Sequence, residues 1–95
     1  MTRDELLIKL RELKPWLEEQ GIVNVRLFGS YARDEAGPDS DVDLLVDITK
    51  PLGFRFFGIE DEIGEQLGAR VEMVTARSVE NPYIRHTVER DALVV

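Results

Sequence analysis

The sequence predicts an α/β (α+β) fold, in which a small mixed β-sheet is flanked by helices. Helical and strand-like patterns follow one another in the order helix, strand, strand, helix, strand, helix. The first two strand patterns, 22–28 and 41–48, are joined by a segment too short for an ordinary crossover, so we expect this pair to be antiparallel. The 95 residues contain no repeat and no linker-like stretch, so we predict one domain over residues 1–95.

The first element is a helix predicted over residues 2–20. Thr2 and Glu5 have the spacing of a capping box, and Gly21 is a natural C-terminal stop. Pro15 lies inside the pattern, so we expect it to kink or split the helix. Four leucines recur at helical spacing and would form the buried face: Leu6, Leu10, Leu13 and Leu17.

Two strands follow this helix. The first, 22–28, alternates apolar and polar residues, and the second, 41–48, has an apolar middle. Between them, residues 31–35 could form a short helical turn, and residues 37–39, Gly-Pro-Asp, are typical of a tight turn. Three residues of the first strand are predicted to share one face: Val23, Val25 and Leu27.

The second half of the chain continues with a helix over 54–67 that ends at Gly68, and then a strand over 70–75. Asn81 and Pro82 suit the N-cap and first position of a last helix, and the final four residues form an apolar tail or an edge strand. Three aromatic side chains are expected at the edge of the core, the alternative being an exposed patch for a partner: Phe54, Phe56 and Phe57.

The composition excludes several classes of function. With 12 Lys and Arg against 19 Asp and Glu, the net charge is −7, which argues against binding duplex nucleic acid through a basic face. The absence of cysteine excludes disulfides, thiol catalysis and Cys-based zinc sites, and the single histidine, His86, cannot form a His-rich metal site. There is no membrane-length apolar run and the N-terminus does not resemble a signal peptide, so we expect a cytoplasmic protein.

Acidic residues are concentrated between positions 34 and 47, and two of them stand out. Asp41 and Asp43 open the second strand at positions i and i+2, so both side chains should project from the same face. Two neighbouring carboxylates repel each other unless a cation lies between them, and such oxygen ligands suit Mg²⁺. The alternative is a strand that begins with two solvent-exposed acids.

Gly29 and Ser30 lie where the first strand gives way to a turn. Glycine permits close backbone approach and unusual dihedral angles, and the amides that follow, with the Ser30 hydroxyl, could bind an anion at a helix N-terminus. Ser30 could instead be an ordinary N-cap. Arg33, one helical turn later, could reach the same phosphates or pair with a neighbouring acid.

Taken together, residues 27–46 resemble the signature of the polymerase β-type nucleotidyltransferase superfamily. That signature is Gly-Ser, ten residues, and then Asp-x-Asp, and here Gly29 and Ser30 are followed at this spacing by Asp41 and Asp43. The flanking residues are typical of the small prokaryotic members, the minimal nucleotidyltransferase (MNT) domains, which include the MntA-like antitoxins of HEPN–MNT toxin–antitoxin systems. The resemblance extends over essentially the whole chain.

The resemblance implies a site for ATP and two Mg²⁺ ions at one end of the sheet. Gly29 and Ser30 would hold the β- and γ-phosphates, with Arg33 close to them. Asp41 and Asp43 would bind the metal ions, which orient the α-phosphate and stabilise the attacking and leaving oxygens.

Glu72 occupies the place of a third acid, which is usually Asp in the family. Its side chain is one methylene longer, so it could still bind metal or accept the proton of the attacking hydroxyl, or it could lie too far forward for activity. Independently of the family, Glu72 lies between Val71 and Met73 on an expected central strand. Alternation places it on the face opposite those two residues, where it could also be an ordinary solvated side chain.

The function implied by the resemblance is that of a protein adenylyltransferase. Such an enzyme would transfer AMP from ATP to a hydroxyl, expected to be that of a tyrosine, on a cognate HEPN ribonuclease toxin, and release pyrophosphate. The alternative is a catalytically weak or inactive antitoxin that neutralises the toxin by binding. Transfer to a small molecule is less favoured, because 95 residues leave no second domain for that acceptor.

Overall fold

A four-stranded mixed sheet with the strand order β3-β2-β1-β4 forms the centre of the computed structural model, which describes residues 1–75 and 80–95. Strand β1 is antiparallel to both β2 and β4, whereas β2 is parallel to β3. The predicted α/β class, the mixed sheet and the antiparallel first pair are therefore confirmed. The elements are α1 (Arg3–Glu19), β1 (Ile22–Phe28), β2 (Val42–Ile48), α2 (Arg55–Leu67), β3 (Val71–Thr75), α3 (Pro82–Asp91) and β4 (Leu93–Val94).

The two faces of the sheet have different roles. Val42, Leu44 and Val46 of β2 are fully buried in the main core, together with the apolar faces of α1 and α2. Because successive side chains of a strand point to opposite faces, Asp43 projects from the other face. Helix α3 lies on that second face, where it lines a cavity together with Asp43. The chemistry-bearing side chains are therefore separated from the core by the sheet itself.

Helix α1 begins as the sequence predicts. The backbone amide of Glu5 donates to the Thr2 hydroxyl at 3.2 Å, and the amide of Thr2 donates to the Glu5 carboxylate at 3.4 Å, which completes the capping box. The expected division at Pro15 is wrong, because the helix continues to Glu19 as one element. Leucines on both sides of the proline are buried, and this packing outweighs the hydrogen bond lost there.

Strand β1 contains a bulge that the alternating pattern did not reveal. Asn24 has a φ of 52°, and the pairing register with β2 shifts between Val23 and Arg26. The extra residue changes which side chains face the core, so Ile22 is buried, whereas Val23, predicted to share the buried face, is only half-buried.

Helix α2 packs through three buried residues, Ile59, Ile63 and Leu67, and ends at Gly68, which has a φ of 70°. The expectation that three phenylalanines join the core edge is wrong for two of them. Phe56 packs against the core, but Phe54 is 92% exposed and Phe57 is 59% exposed. Phe54 precedes the helix, and Phe57 lies two residues before Ile59, which places it on the opposite side of the helix.

Strand β3 is an edge strand, which corrects the central position expected for Glu72. The alternation itself is confirmed, since Val71 and Met73 are buried and Glu72 is exposed. Helix α3 begins as predicted, with the Asn81 side chain accepting a hydrogen bond from the Tyr83 amide at 3.0 Å. The C-terminal residues form edge strand β4. Among the described residues, none of the helices has the length and apolar character needed to cross a membrane.

Candidate active site

The turn that follows β1 begins at Gly29, whose φ is +78°. The Arg33 amide donates to the Gly29 carbonyl at 3.3 Å, and the Glu35 amide donates to the Ser30 carbonyl at 2.9 Å. These bonds close a single turn, and no helix follows it in this part of the chain. The short helical turn suggested by the sequence is present, but the helix N-terminus expected to bind an anion is not formed. Tyr31 is buried in the core and fixes the turn against the sheet.

Gly29 lies directly against the carboxylate of Asp43. The register of the antiparallel pair places Phe28 opposite Asp43, so Gly29 is the first residue beyond that pair. A β-carbon at position 29 would overlap Asp43 Oδ2. The glycine is therefore required for two reasons, the left-handed backbone conformation and the close approach of a carboxylate.

Asp43 and Glu72 are direct neighbours in the parallel pair of β2 and β3. The pKa of Asp43 is raised from 3.8 to about 6, first by burial of its carboxyl group, then by the negative charges of Glu72 and Asp41. Arg33 acts in the opposite direction but does not cancel these effects. An ionised Asp43 is thus energetically unfavourable in the protein alone, and a nearby cation would relieve it.

Asp41 lies immediately before β2 and is directed elsewhere. Arg70 Nε is 3.7 Å from Asp41 Oδ1, and the two residues line a cavity of about 670 Å³ beside the turn at Gly37. The charge of Asp41 still acts on Asp43, as the raised pKa of Asp43 shows. Over the described ranges, 1–75 and 80–95, no group of three or more His, Cys, Asp or Glu residues is arranged to hold a metal ion.

A cavity of about 440 Å³ brings together five of the six site residues that the sequence singles out. Gly29, Ser30, Arg33, Asp43 and Glu72 all line it, and only Asp41 does not. Helix α3 and the neighbouring strands close the remaining walls, and they contribute the following residues: Phe28, Val74, Tyr83, Ile84, Thr87 and Arg90.

Two residues at the end of α3 escaped the sequence analysis. Arg33 Nη1 donates to Asp91 Oδ2 at 2.5 Å, and Arg90 donates to both oxygens of the same carboxylate at 3.0 and 3.1 Å. The Arg90 bonds, together with that from Arg33, hold the pKa of Asp91 below its usual value although burial opposes this. Arg33 pairs with acids, as one reading of the sequence allowed, including Glu35 at 3.0 Å. Arg90 and Asp91 carried no local signal, because their role depends on α3 lying beside a turn 58 residues earlier in the chain.

The fold and this cavity define the class of nucleotidyltransferases. A solved structure described as a candidate minimal nucleotidyltransferase superposes with a TM-score of 0.80 at 33% identity, and the match covers 100% of this chain and 97% of that one. A second solved structure, the tri-AMPylated HEPN toxin of Shewanella oneidensis in complex with an MNT antitoxin, gives a TM-score of 0.68. It is 17% identical over 94% of this chain and 70% of that one, and it shows a likeness of fold.

Sequence relationships lead to the same class. The sequence model of the nucleotidyltransferase domain matches residues 7–95. A protein of Thermococcus cleftensis named protein adenylyltransferase MntA is 37% identical over 97 residues, which cover 100% of this chain and 97% of that relative. The chain belongs to the nucleotidyltransferase domain family, and the activity of this family is transfer of a nucleotidyl group. The resemblance drawn from Gly29, Ser30, Asp41 and Asp43 is confirmed.

Proposed function

We propose that this protein is an ATP- and Mg²⁺-dependent protein adenylyltransferase that acts as an antitoxin by modifying a cognate HEPN ribonuclease toxin. The observation that carries the proposal is the cavity that Ser30 and Arg33 line together with Asp43 and Glu72. A relative named protein adenylyltransferase and a related fold in complex with an AMPylated HEPN toxin support the acceptor class.

The carboxylate side of the cavity would hold the metal ions. Asp43 and Glu72 present hard oxygen donors, and the pKa of Asp43 is raised first by burial and then by the nearby charges of Glu72 and Asp41, all of which Mg²⁺ would offset. Asp41 would complete the group, in line with the Asp-x-Asp spacing. When bound, the metal would neutralise phosphate charge and activate the α-phosphate for attack.

Other residues of the same cavity would hold the triphosphate. The Ser30 hydroxyl and the backbone of the turn would donate to phosphate oxygens, and Arg33 would add positive charge. The oxygen of the toxin hydroxyl, for which a tyrosine is proposed, would form a bond to the α-phosphorus. The bond from this phosphorus to the β-phosphate would break, pyrophosphate would leave, and Glu72 or Asp43 would accept the hydroxyl proton.

Two observations favour the second candidate function, an antitoxin that acts by binding alone. Glu72, which replaces the usual Asp, is exposed on an edge strand. Asp41 is paired with Arg70 rather than directed into the cavity with Asp43. Either feature would weaken metal binding while leaving the protein surface unchanged for a toxin to contact.

One experiment separates the two functions. The protein is incubated with the toxin encoded by the neighbouring gene, Mg²⁺ and ATP labelled on the α-phosphate, and the same is done with Asp43→Asn. Asp47→Asn is the matched control, because Asp47 lies on the same strand but pairs with Arg26 outside the cavity. Label on the toxin that disappears only with Asp43→Asn supports the enzyme. An unlabelled toxin that the Asp43 variant still inhibits would establish the binding antitoxin instead.

A further inference from the structure

Asp91 is a buried carboxylate that connects the end of α3 to the turn after β1. Its side chain is 2% exposed, and it accepts hydrogen bonds from Arg33 at 2.5 Å and from Arg90 at 3.0 and 3.1 Å. The two arginines come from different elements, yet both line the cavity that contains Ser30 and Asp43. Asp91 therefore holds two guanidinium groups together at one wall of the cavity.

Both guanidinium groups retain donors for a ligand. The side chain of Arg33 is 32% exposed and that of Arg90 is 51% exposed, in contrast to the carboxylate between them. A guanidinium has five N–H donors, and the bonds to Asp91 use two from Arg90 and one from Arg33. Arg90 lines the same cavity as Asp43 and Glu72, so its remaining donors are available to a ligand bound there.

Burying this ionised carboxylate is less favourable in free energy than a purely structural contact between apolar side chains would be. An ionised carboxylate at 2% exposure loses most of its hydration, and apolar residues of similar volume often stabilise a fold as well as a buried ion pair does. Unlike apolar residues, a buried carboxylate also orients its partners, because its hydrogen bonds fix the planes of both guanidinium groups. Glu35, which also pairs with Arg33, balances the remaining charge, so the group suits an anionic ligand through its unused guanidinium N–H donors and not through a net charge.

We propose that Asp91 is a positioning residue that aims Arg90 and Arg33 at the triphosphate of the nucleotide, so that α3 supplies half of the phosphate-binding site. This inference rests on the proposed function, since it takes a nucleoside triphosphate as the ligand. Arg90 contacts the phosphates in this arrangement, and Asp91 acts only through the arginines.

The test measures binding of ATP and of inorganic tripolyphosphate by isothermal titration calorimetry, with no toxin present. Asp91→Asn distinguishes a positioning role from a simple effect of charge, because the two predict opposite changes in the affinity for an anion. Removal of a negative charge beside the site would by itself strengthen anion binding, whereas loss of orientation weakens it. We expect the affinity of Asp91→Asn for tripolyphosphate to fall about fivefold to tenfold. Equal or tighter binding by this variant, in a folded protein, overturns the positioning role.

Arg90→Gln tests the same site at the half-exposed arginine itself, and it removes two hydrogen bonds from Asp91 while the bond from Arg33 remains. Loss of one charge-assisted contact to phosphate is expected to weaken binding of ATP and of tripolyphosphate alike, by about tenfold. Arg55→Gln is the matched control, because Arg55 is exposed at the start of α2 and donates to Gln20 outside this cavity. Arg90→Gln binding within twofold of the unchanged protein overturns the proposal, even if Asp91→Asn fails to fold.

Different experimental results would refute the positioning role of Asp91 and the proposed adenylyltransferase function. An unchanged protein that binds tripolyphosphate, and loses this affinity in Arg90→Gln, supports the inference even if no toxin becomes labelled. Labelling of the toxin that persists with an unaltered KM for ATP in Arg90→Gln refutes the inference and leaves the proposed function intact. No binding of tripolyphosphate by the unchanged protein also refutes the inference.

Discussion

Asp43→Asn is expected to make the protein more stable at neutral and alkaline pH. Asp43 lies between the Gly29 turn and Glu72, and its pKa is raised to about 6 by burial and by the charges of Glu72 and Asp41. An asparagine has nearly the same shape and no charge. The substitution therefore removes the unfavourable charge and keeps the packing.

The size and the pH range of the effect follow from the pKa. The difference between 3.8 in the unfolded chain and about 6 in the fold corresponds to about 3 kcal/mol, and solvent screening of this half-buried carboxyl reduces it to about 1–2 kcal/mol. The folded state holds the Asp43 proton more tightly than the unfolded state. The stability associated with the protonated form is therefore fully present below about pH 3.8 and is lost as the pH rises through about 6.

Thermal unfolding of both proteins at pH 4 and pH 8 measures this directly. At pH 8 we expect Asp43→Asn to melt about 4–12 °C higher than the unchanged protein, and at pH 4 the two should agree closely. Mg²⁺ should raise the melting temperature of the unchanged protein more than that of the variant. Asp47→Asn, on the same strand but paired with Arg26, should show no gain. A variant that is no more stable than the unchanged protein at pH 8 would show that the charge of Asp43 does not destabilise the fold.

Three further predictions concern the ends of the cavity and the first helix. Gly29→Ala should lower the free energy of unfolding in urea by about 1–3 kcal/mol and reduce AMP transfer about 100-fold, because the added β-carbon displaces the Asp43 carboxylate. Normal transfer by this variant would contradict the prediction. Arg70→Gln should lower the Mg²⁺ concentration for half-maximal AMP transfer about twofold to fivefold, because it frees Asp41 and removes a positive charge. A higher Mg²⁺ concentration would argue against competition between Arg70 and the metal for Asp41. Thr2→Ala should cost about 1 kcal/mol in thermal unfolding while ATP affinity, measured by calorimetry, stays unchanged.

The order and extent of the elements could be predicted because their signals are local. The capping box at Thr2, the left-handed cap at Gly68 and the Asn-Pro start of α3 each depend on a few adjacent residues. The predicted division of α1 at Pro15 is wrong because the packing of the leucine face on the sheet decides whether the helix continues. The predicted core position of Phe54 and Phe57 is wrong because hydrophobicity alone does not determine which side of a helix faces the core.

The candidate site was predictable as a set of residues and not as an arrangement. The Gly-Ser and Asp-x-Asp spacing identifies Gly29 and Asp43, but their contact depends on the register between β1 and β2, which the bulge at Asn24 shifts. The edge position of Glu72 depends on the order of strands in the sheet. The link from Arg33 to Asp91 joins residues 58 positions apart, so no pattern in the sequence could indicate it.

The cavity combines acidic and basic side chains, which would influence how a substrate is held in it. Asp43 and Glu72 line it together with Arg33 and Arg90, in a chain whose overall charge is −7. A metal–triphosphate complex also combines both signs of charge, so its phosphate oxygens would turn toward the arginines and its cation toward the acids. In the proposed function the proton acceptor is Asp43 or Glu72, so the hydroxyl to be modified would approach from the side of β2 and β3.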